Sequence, residues 1–189
     1  MRVVSRYSSR PIKDRHQLSL ILKWYKKRNR RDYCLVLLVF YTGMSPETVC
    51  GLKVSDIISK QDLVLTNAHY SVSYKLSPSV QTIFKNYVSQ YNLKPTDWLF
   101  PTRTLANHVR AHDTHKKFKG VYRAVGFKGQ ASLRMTALYW LYMATGLSEV
   151  MYVGGYRNPM TVINLLELTK SDLKSGIERL DHRIFQYGH

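Results

Sequence analysis

From Arg31 to Tyr41 the chain reads RDYCLVLLVFY, apolar on almost every side of a helix, and the run ends at Gly43. A helix with so little polar surface is stable only when neighbours cover it all round. The glycine behind it supplies the left-handed backbone with which many helices close. One buried central helix is therefore expected, with the other elements as amphipathic cover. Ser45-Pro46-Glu47 begins the next helix, serine as N-cap and proline at the first helical position. The chain has 189 residues and is 44% hydrophobic, which suits one folded domain with a sizeable core. Its longest apolar run, Cys34 to Tyr41, falls far short of the roughly 20 residues of a spanning helix, so no membrane is expected as partner.

Around that helix the periodicity predicts further elements. Residues 1–13 form a basic arm in which Arg2, Arg6, Arg10 and Lys13 lead into no apolar signal segment. From Asp14 a helix carries Leu18, Ile21, Leu22 and Tyr25 on one side and Lys23, Lys26 and Lys27 outside it, ending near Asn29. Between Val54 and Leu76 short β-type runs, Leu63-Val64-Leu65 and Tyr70 to Tyr74, predict a small antiparallel sheet after the third helix. Helical spacing returns from Pro78 to Tyr91, from about Thr104 to Val125, and over Ser132 to Thr145, Glu149 to Val153 and Met160 to Leu168. An amphipathic segment from Ser171 to Leu180 comes last. The expected organisation is one domain over 14–180 between the arm and a tail at 181–189.

Lys and Arg number 29 against 12 Asp and Glu, a formal charge of +17. Such a body repels itself unless a polyanion normally lies against it, and nucleic acid is the leading partner. The densest basic stretches are Lys26, Lys27 and Arg28 with Arg30 and Arg31, and Arg110 through Lys116, Lys117 and Lys119 to Arg123. Cys34 and Cys50 lie in apolar surroundings without a C-x-x-C pair, which fits a reducing cytoplasm and neither a zinc ribbon nor a disulfide framework. His108, His112 and His115 fall on one face of the helix predicted there. Lys116 and Lys117 beside them disfavour a cation, so a solvated basic face is expected, with no metal and no cofactor.

Four segments carry a resemblance to a known family. YTGMSPETVCGLKVSDI at Tyr41 to Ile57 resembles the T-G-L-R-x-S-E-L-x-x-L-x-x-x-D-I stretch of tyrosine recombinases and integrases. Trp98-Leu99-Phe100-Pro101 resembles the segment closing the central part of that family. SLRMTALYWLYMATG at Ser132 to Gly146 resembles its H-x-L-R helix, and GGYRNPMTVINLL at Gly154 to Leu166 its L-G-H-S-x-x-x-T-x-x-x-Y ending. They occur in the family's order. The resemblance implies an α+β, mostly helical fold like the tyrosine recombinase catalytic domain, with the small antiparallel β-sheet inserted; the few residues before Asp14 are expected not to supply the family's core-binding domain.

The family cleaves DNA by attack of a tyrosine oxygen on a phosphodiester, which needs a nucleophile, cations around the transition state and a proton donor. By the resemblance the first arginine falls on Ser45, the hairpin lysine near Asn67 with Lys75 close by, and the histidine of H-x-L-R on Ala131. The second arginine is kept as Arg134, the later histidine falls on Tyr156, and the nucleophile falls on Leu165. With one of six positions retained, the expected function is double-stranded DNA binding without cleavage, as a sequence-specific transcriptional regulator of a phage or mobile element. Arg134 is expected to clamp phosphate, Tyr156 and Arg157 to line the same cleft, and the two basic stretches to contact the backbone. Contact is one-sided unless the chain forms a homo-oligomer or its arm wraps across. The competing expectations are a divergent recombinase with Tyr156 or Tyr187 as nucleophile, and an accessory or architectural factor for recombination.

Overall fold

The computed structural model describes residues 9–58, 62–66, 71–104, 106–128 and 130–174. At its centre is α2 (Arg30–Thr42), in which Cys34, Leu35, Val36, Leu38 and Val39 are all buried. The Asn29 side chain accepts from the Asp32 N–H at its start, and Gly43 closes it at φ 68°. A Cβ at Gly43 would stand 3.0 Å from Leu138 Cδ2 and 3.1 Å from Val153 Cγ1, so the position requires glycine for space as well as for its backbone. α1 (Arg15–Arg28), capped by Asp14, lays Ile21 and Tyr25 against α2. α3 (Pro46–Cys50) is capped by the Ser45 hydroxyl and followed by α4 (Val54–Ile58).

The remaining helices complete the cover. α5 (Pro78–Gln90) buries Val80, Phe84 and Tyr87, and α6 (Ala111–Ala124) buries Phe118, Val121 and Tyr122. α7 (Leu133–Thr145) lies along α2 and also meets α8 (Leu147–Gly154), which in turn packs on α9 (Pro159–Leu165). Two apolar clusters result, a large one around α2 and a smaller one of Leu138, Tyr139, Tyr142, Val150, Val162 and Leu166.

The expectation of an α+β fold with a small antiparallel sheet is corrected. The described chain is predominantly helical, and its extended backbone, apart from isolated bridges, amounts to one hairpin of β1 (Asp62–Thr66) and β2 (Ser71–Lys75), with Asp62 opposite Lys75 and Thr66 opposite Ser71. Two short strands form no layer that could cover a core, and the hairpin's principal helical neighbour is α4. The core is helix on helix. The hairpin also follows the fourth helix, because Val54–Ile58, read as the start of β-type runs, is a helical turn. It opens with the Asp56 carboxylate accepting from the Lys53 N–H. The helix expected from Thr104 begins only at Ala111, since residues 101 and 108 pair as an isolated antiparallel bridge. Of the segment Ser171 to Leu180, residues 171–174 are helical and the rest, like the tail, lies outside the described residues.

Residues 1–8 of the basic arm also lie outside them, whereas its end is packed against the domain. Ile12 is buried, its N–H donates to Thr136 Oγ1 at 3.0 Å, and its carbonyl accepts from Trp140 Nε1 at 3.0 Å. Arg10 pairs with residues 130–132 in parallel, its N–H donating to the Gln130 carbonyl at 2.8 Å. Lys13 Nζ donates to the Glu167 carbonyl at 2.6 Å and to Asp172 Oδ2 at 2.9 Å.

Candidate nucleic-acid interface

Arg134 stands in the first turn of α7, which the Ser132 hydroxyl caps by accepting from the Met135 N–H. Its half-buried guanidinium donates from Nη2 to the Gly154 carbonyl at 3.1 Å. Its Nε is buried and has no partner among the described residues. Gly154 ends α8, and Gly155 turns the chain at φ 71° so that the Tyr156 N–H returns to the Met151 carbonyl at 2.8 Å. The Tyr156 ring then lies directly over Gly154, where a Cβ would overlap it. Arg134, Gly154 and Tyr156 thus form one constellation, and Arg157 is exposed beside it.

Gly43 ties a third segment to this end of the fold. It sits between Leu138, one turn beyond Arg134, and Val153, which precedes Gly154, and Ser45 follows two residues later. The Ser45 hydroxyl accepts from the Thr48 N–H at 3.1 Å, so it serves its own helix. Ala131 is held in the bridge to Arg10. Leu165 is the last residue of α9 and 37% exposed. Asn67 lies outside the described residues, and Lys75 closes β2 opposite Asp62. Chemically, the constellation offers a guanidinium with an uncommitted donor beside a phenol, suited to holding a phosphate oxygen.

The two basic stretches meet at Asp32. Its carboxylate takes Lys117 Nζ at 2.7 Å and Arg31 Nη2 at 3.1 Å, while Arg31 Nη1 donates to the Pro101 carbonyl at 2.8 Å. Arg28 lies over the Trp24 ring at 4.8 Å, and the Arg30 Nε is buried. Lys26, Lys27, Arg110, Lys116, Lys119 and Arg123 are exposed. An open cleft of roughly 310 Å³ runs between the start of α2, the segment before α6 and α6 itself, lined by Arg31, Arg103, Asp113, Lys116 and Lys117. The sequence reading passed over Arg103 and Asp32. Asp32 carried a signal, as the one acidic residue of α2, set between two arginines and its apolar run.

The expected histidine face is corrected too. His108 precedes α6 and packs edge-on against Trp98 at 5.0 Å, while His112 and His115 lie 3.7 Å from Asp113 and Glu47. Among the described residues no cluster of His, Cys, Asp and Glu could hold a metal ion. Both cysteines are buried, and burial pushes Cys34 up to about 12 and Cys50 up to about 11.

The model of the phage integrase family matches residues 13–171. The chain belongs to that family, the tyrosine recombinases. Among solved structures it is similar to the XerA recombinase, with a TM-score of 0.71 and 16% identity over 96% of this chain and 67% of that one. XerH site-specific recombinase in a post-cleavage complex with palindromic difH substrate gives 0.68 and 15% over 93% and 54%. A lambda integrase dimer bound to a COC′ core site gives 0.65 and 12% over 87% and 62%. At these identities the likeness is one of fold, and the chain spans between about half and two thirds of those proteins. No curated protein matches it. Among the described residues no helix is long and apolar enough to cross a membrane.

Proposed function

We propose that the chain is a DNA-binding member of the phage integrase family that does not cut DNA and acts as a sequence-specific transcriptional regulator of a phage or mobile element. The observation that carries this reading is Leu165. By the family resemblance it stands where the nucleophilic tyrosine belongs, and leucine has no atom able to form a covalent bond to phosphate. Ser45 in place of the first arginine weakens the case for chemistry further, since losing one transition-state donor costs about 10²–10³ in rate. Support for DNA as partner comes from the charge of +17, from exposed cations on both basic stretches, and from the DNA complexes among the similar structures. Arg134, Tyr156 and Arg157 would contact the backbone at the former active site.

The second reading, a divergent recombinase, has one observation in its favour: Tyr156 lies over the glycine to which Arg134 is bonded. Incubation with nicked suicide duplexes carrying the bound sequence separates the two. The regulator gives no denaturation-resistant protein–DNA adduct. An adduct that vanishes in Tyr156→Phe or Tyr187→Phe establishes the recombinase instead. Footprinting on the host element then distinguishes a promoter-bound regulator from an accessory factor seated at a recombination junction.

A further inference from the structure

The Asp32 side chain is 11% exposed, and both its oxygens are occupied. Oδ1 accepts from Arg31 Nε at 3.2 Å and Nη2 at 3.1 Å, and Oδ2 accepts from Lys117 Nζ at 2.7 Å. A two-pronged guanidinium contact with a short ammonium contact is the arrangement these cations would otherwise offer to a phosphate. Carboxylate and phosphate therefore compete for the same two groups. The carboxylate has the advantage of being built in: surrendering Lys117 or Arg31 to DNA would strip one oxygen of a buried carboxylate of its partner, and surrendering both would leave its charge unpaired next to a polyanion, a strongly unfavourable exchange.

The neighbouring cations differ in this respect. Lys116 and Arg103 line the same cleft and are exposed, and no ion pair or hydrogen bond to a described residue holds either side chain. We propose that Asp32 is an internal competitor for nucleic-acid phosphate, withholding Arg31 and Lys117 from DNA and leaving phosphate contact at this corner to Lys116 and Arg103. The inference rests on the reading of the chain as a DNA-binding protein, and it divides the basic surface into cations that meet DNA and cations that hold α6 to the α1–α2 corner.

The test is the slope of log K against log salt for the full chain on a labelled mixed-sequence duplex, each phosphate contact contributing about 0.9. Lys116→Met should lower the slope by about 0.9 and Lys117→Met should leave it unchanged. Asp32→Asn, which keeps the shape and removes the charge, should steepen it by about 0.9–1.8 and tighten binding at low salt, even with a lower melting temperature. A merely structural Asp32 would not increase the slope. Equal losses in Lys117→Met and Lys116→Met, or a folded Asp32→Asn with the wild-type slope, overturn the inference while leaving DNA binding intact. Should Asp32→Asn fail to fold, the lysine pair still decides. A wild-type chain that binds no duplex at any salt overturns both readings.

Discussion

At Arg134 one bond is fixed and the other N–H donors of the guanidinium have no partner among the described residues. The Nη2 bond to Gly154 holds the plane of the guanidinium, and the buried Nε has nothing to satisfy it within the described residues. A guanidinium held by one bond, with Nη1 making no hydrogen bond to a described residue, is preorganised to take a phosphate oxygen through its terminal nitrogens. Arg134→Ala should therefore weaken duplex binding by about 1.5–3 kcal/mol, roughly ten- to a hundredfold, with little change in fold. Arg134→Lys should restore the charge and little of the affinity, because an ammonium lacks the two-pronged geometry. Wild-type affinity in Arg134→Ala would reduce the residue to a family relic. The SLRMT motif made the arginine legible in the sequence, but its partner is a carbonyl twenty residues later and needed the fold.

At the scale of elements, the turn after α9 is held by a reciprocal cap. The Thr169 hydroxyl accepts from the Asp172 N–H at 3.1 Å and Asp172 Oδ2 accepts from the Thr169 N–H at 2.8 Å. Lys13 and the Tyr139 hydroxyl donate to the same carboxylate. Burial alone would raise the Asp172 carboxyl, but the Thr169 N–H, Lys13 and the two hydroxyls outweigh it and hold the group down at about 2, below its ordinary 3.8. Because the folded value is depressed, the stability it contributes is present above about pH 4 and is lost as pH falls toward 2. Asp172→Asn should cost about 1.5–3 kcal/mol at neutral pH. Its unfolding free energy should also change less between pH 4 and 2 than that of wild type, as read from denaturant melts at each pH. A variant with the wild-type acid profile would remove Asp172 from this role. Element boundaries were legible where a cap marks them, as at Asp14, Ser45, Ser77 and Ser132. They were not at α6, whose N-cap Arg110 makes no side-chain bond.

For the whole molecule, 29 basic against 12 acidic side chains make association with a polyanion largely a matter of counterion release. Duplex affinity should fall steeply as salt rises from about 50 to 200 mM, by about 10³ if some six phosphates are contacted. Affinity that hardly changes across that range would deny the basic surface its role. The same charge has an internal remedy, because Arg10, Lys13, Arg31 and Lys117 are paired with Glu167, Asp172 and Asp32. These pairs tie the N-terminal segment to the turn after α9, and α6 to α2.

What the sequence alone determined is whatever acts over a few residues. The apolar run of α2, the glycine that closes it and the proline at the start of α3 are all local, because helix periodicity and capping act within about four residues. Tertiary structure decided which charges are free and which are spent. Asp32 and Lys117 are 85 residues apart, and Trp140 reaches Ile12 across 128. Such pairings follow from how α1, α2, α6 and α7 pack against one another. That packing depends on the shapes of all their side chains together, which no single stretch of sequence encodes.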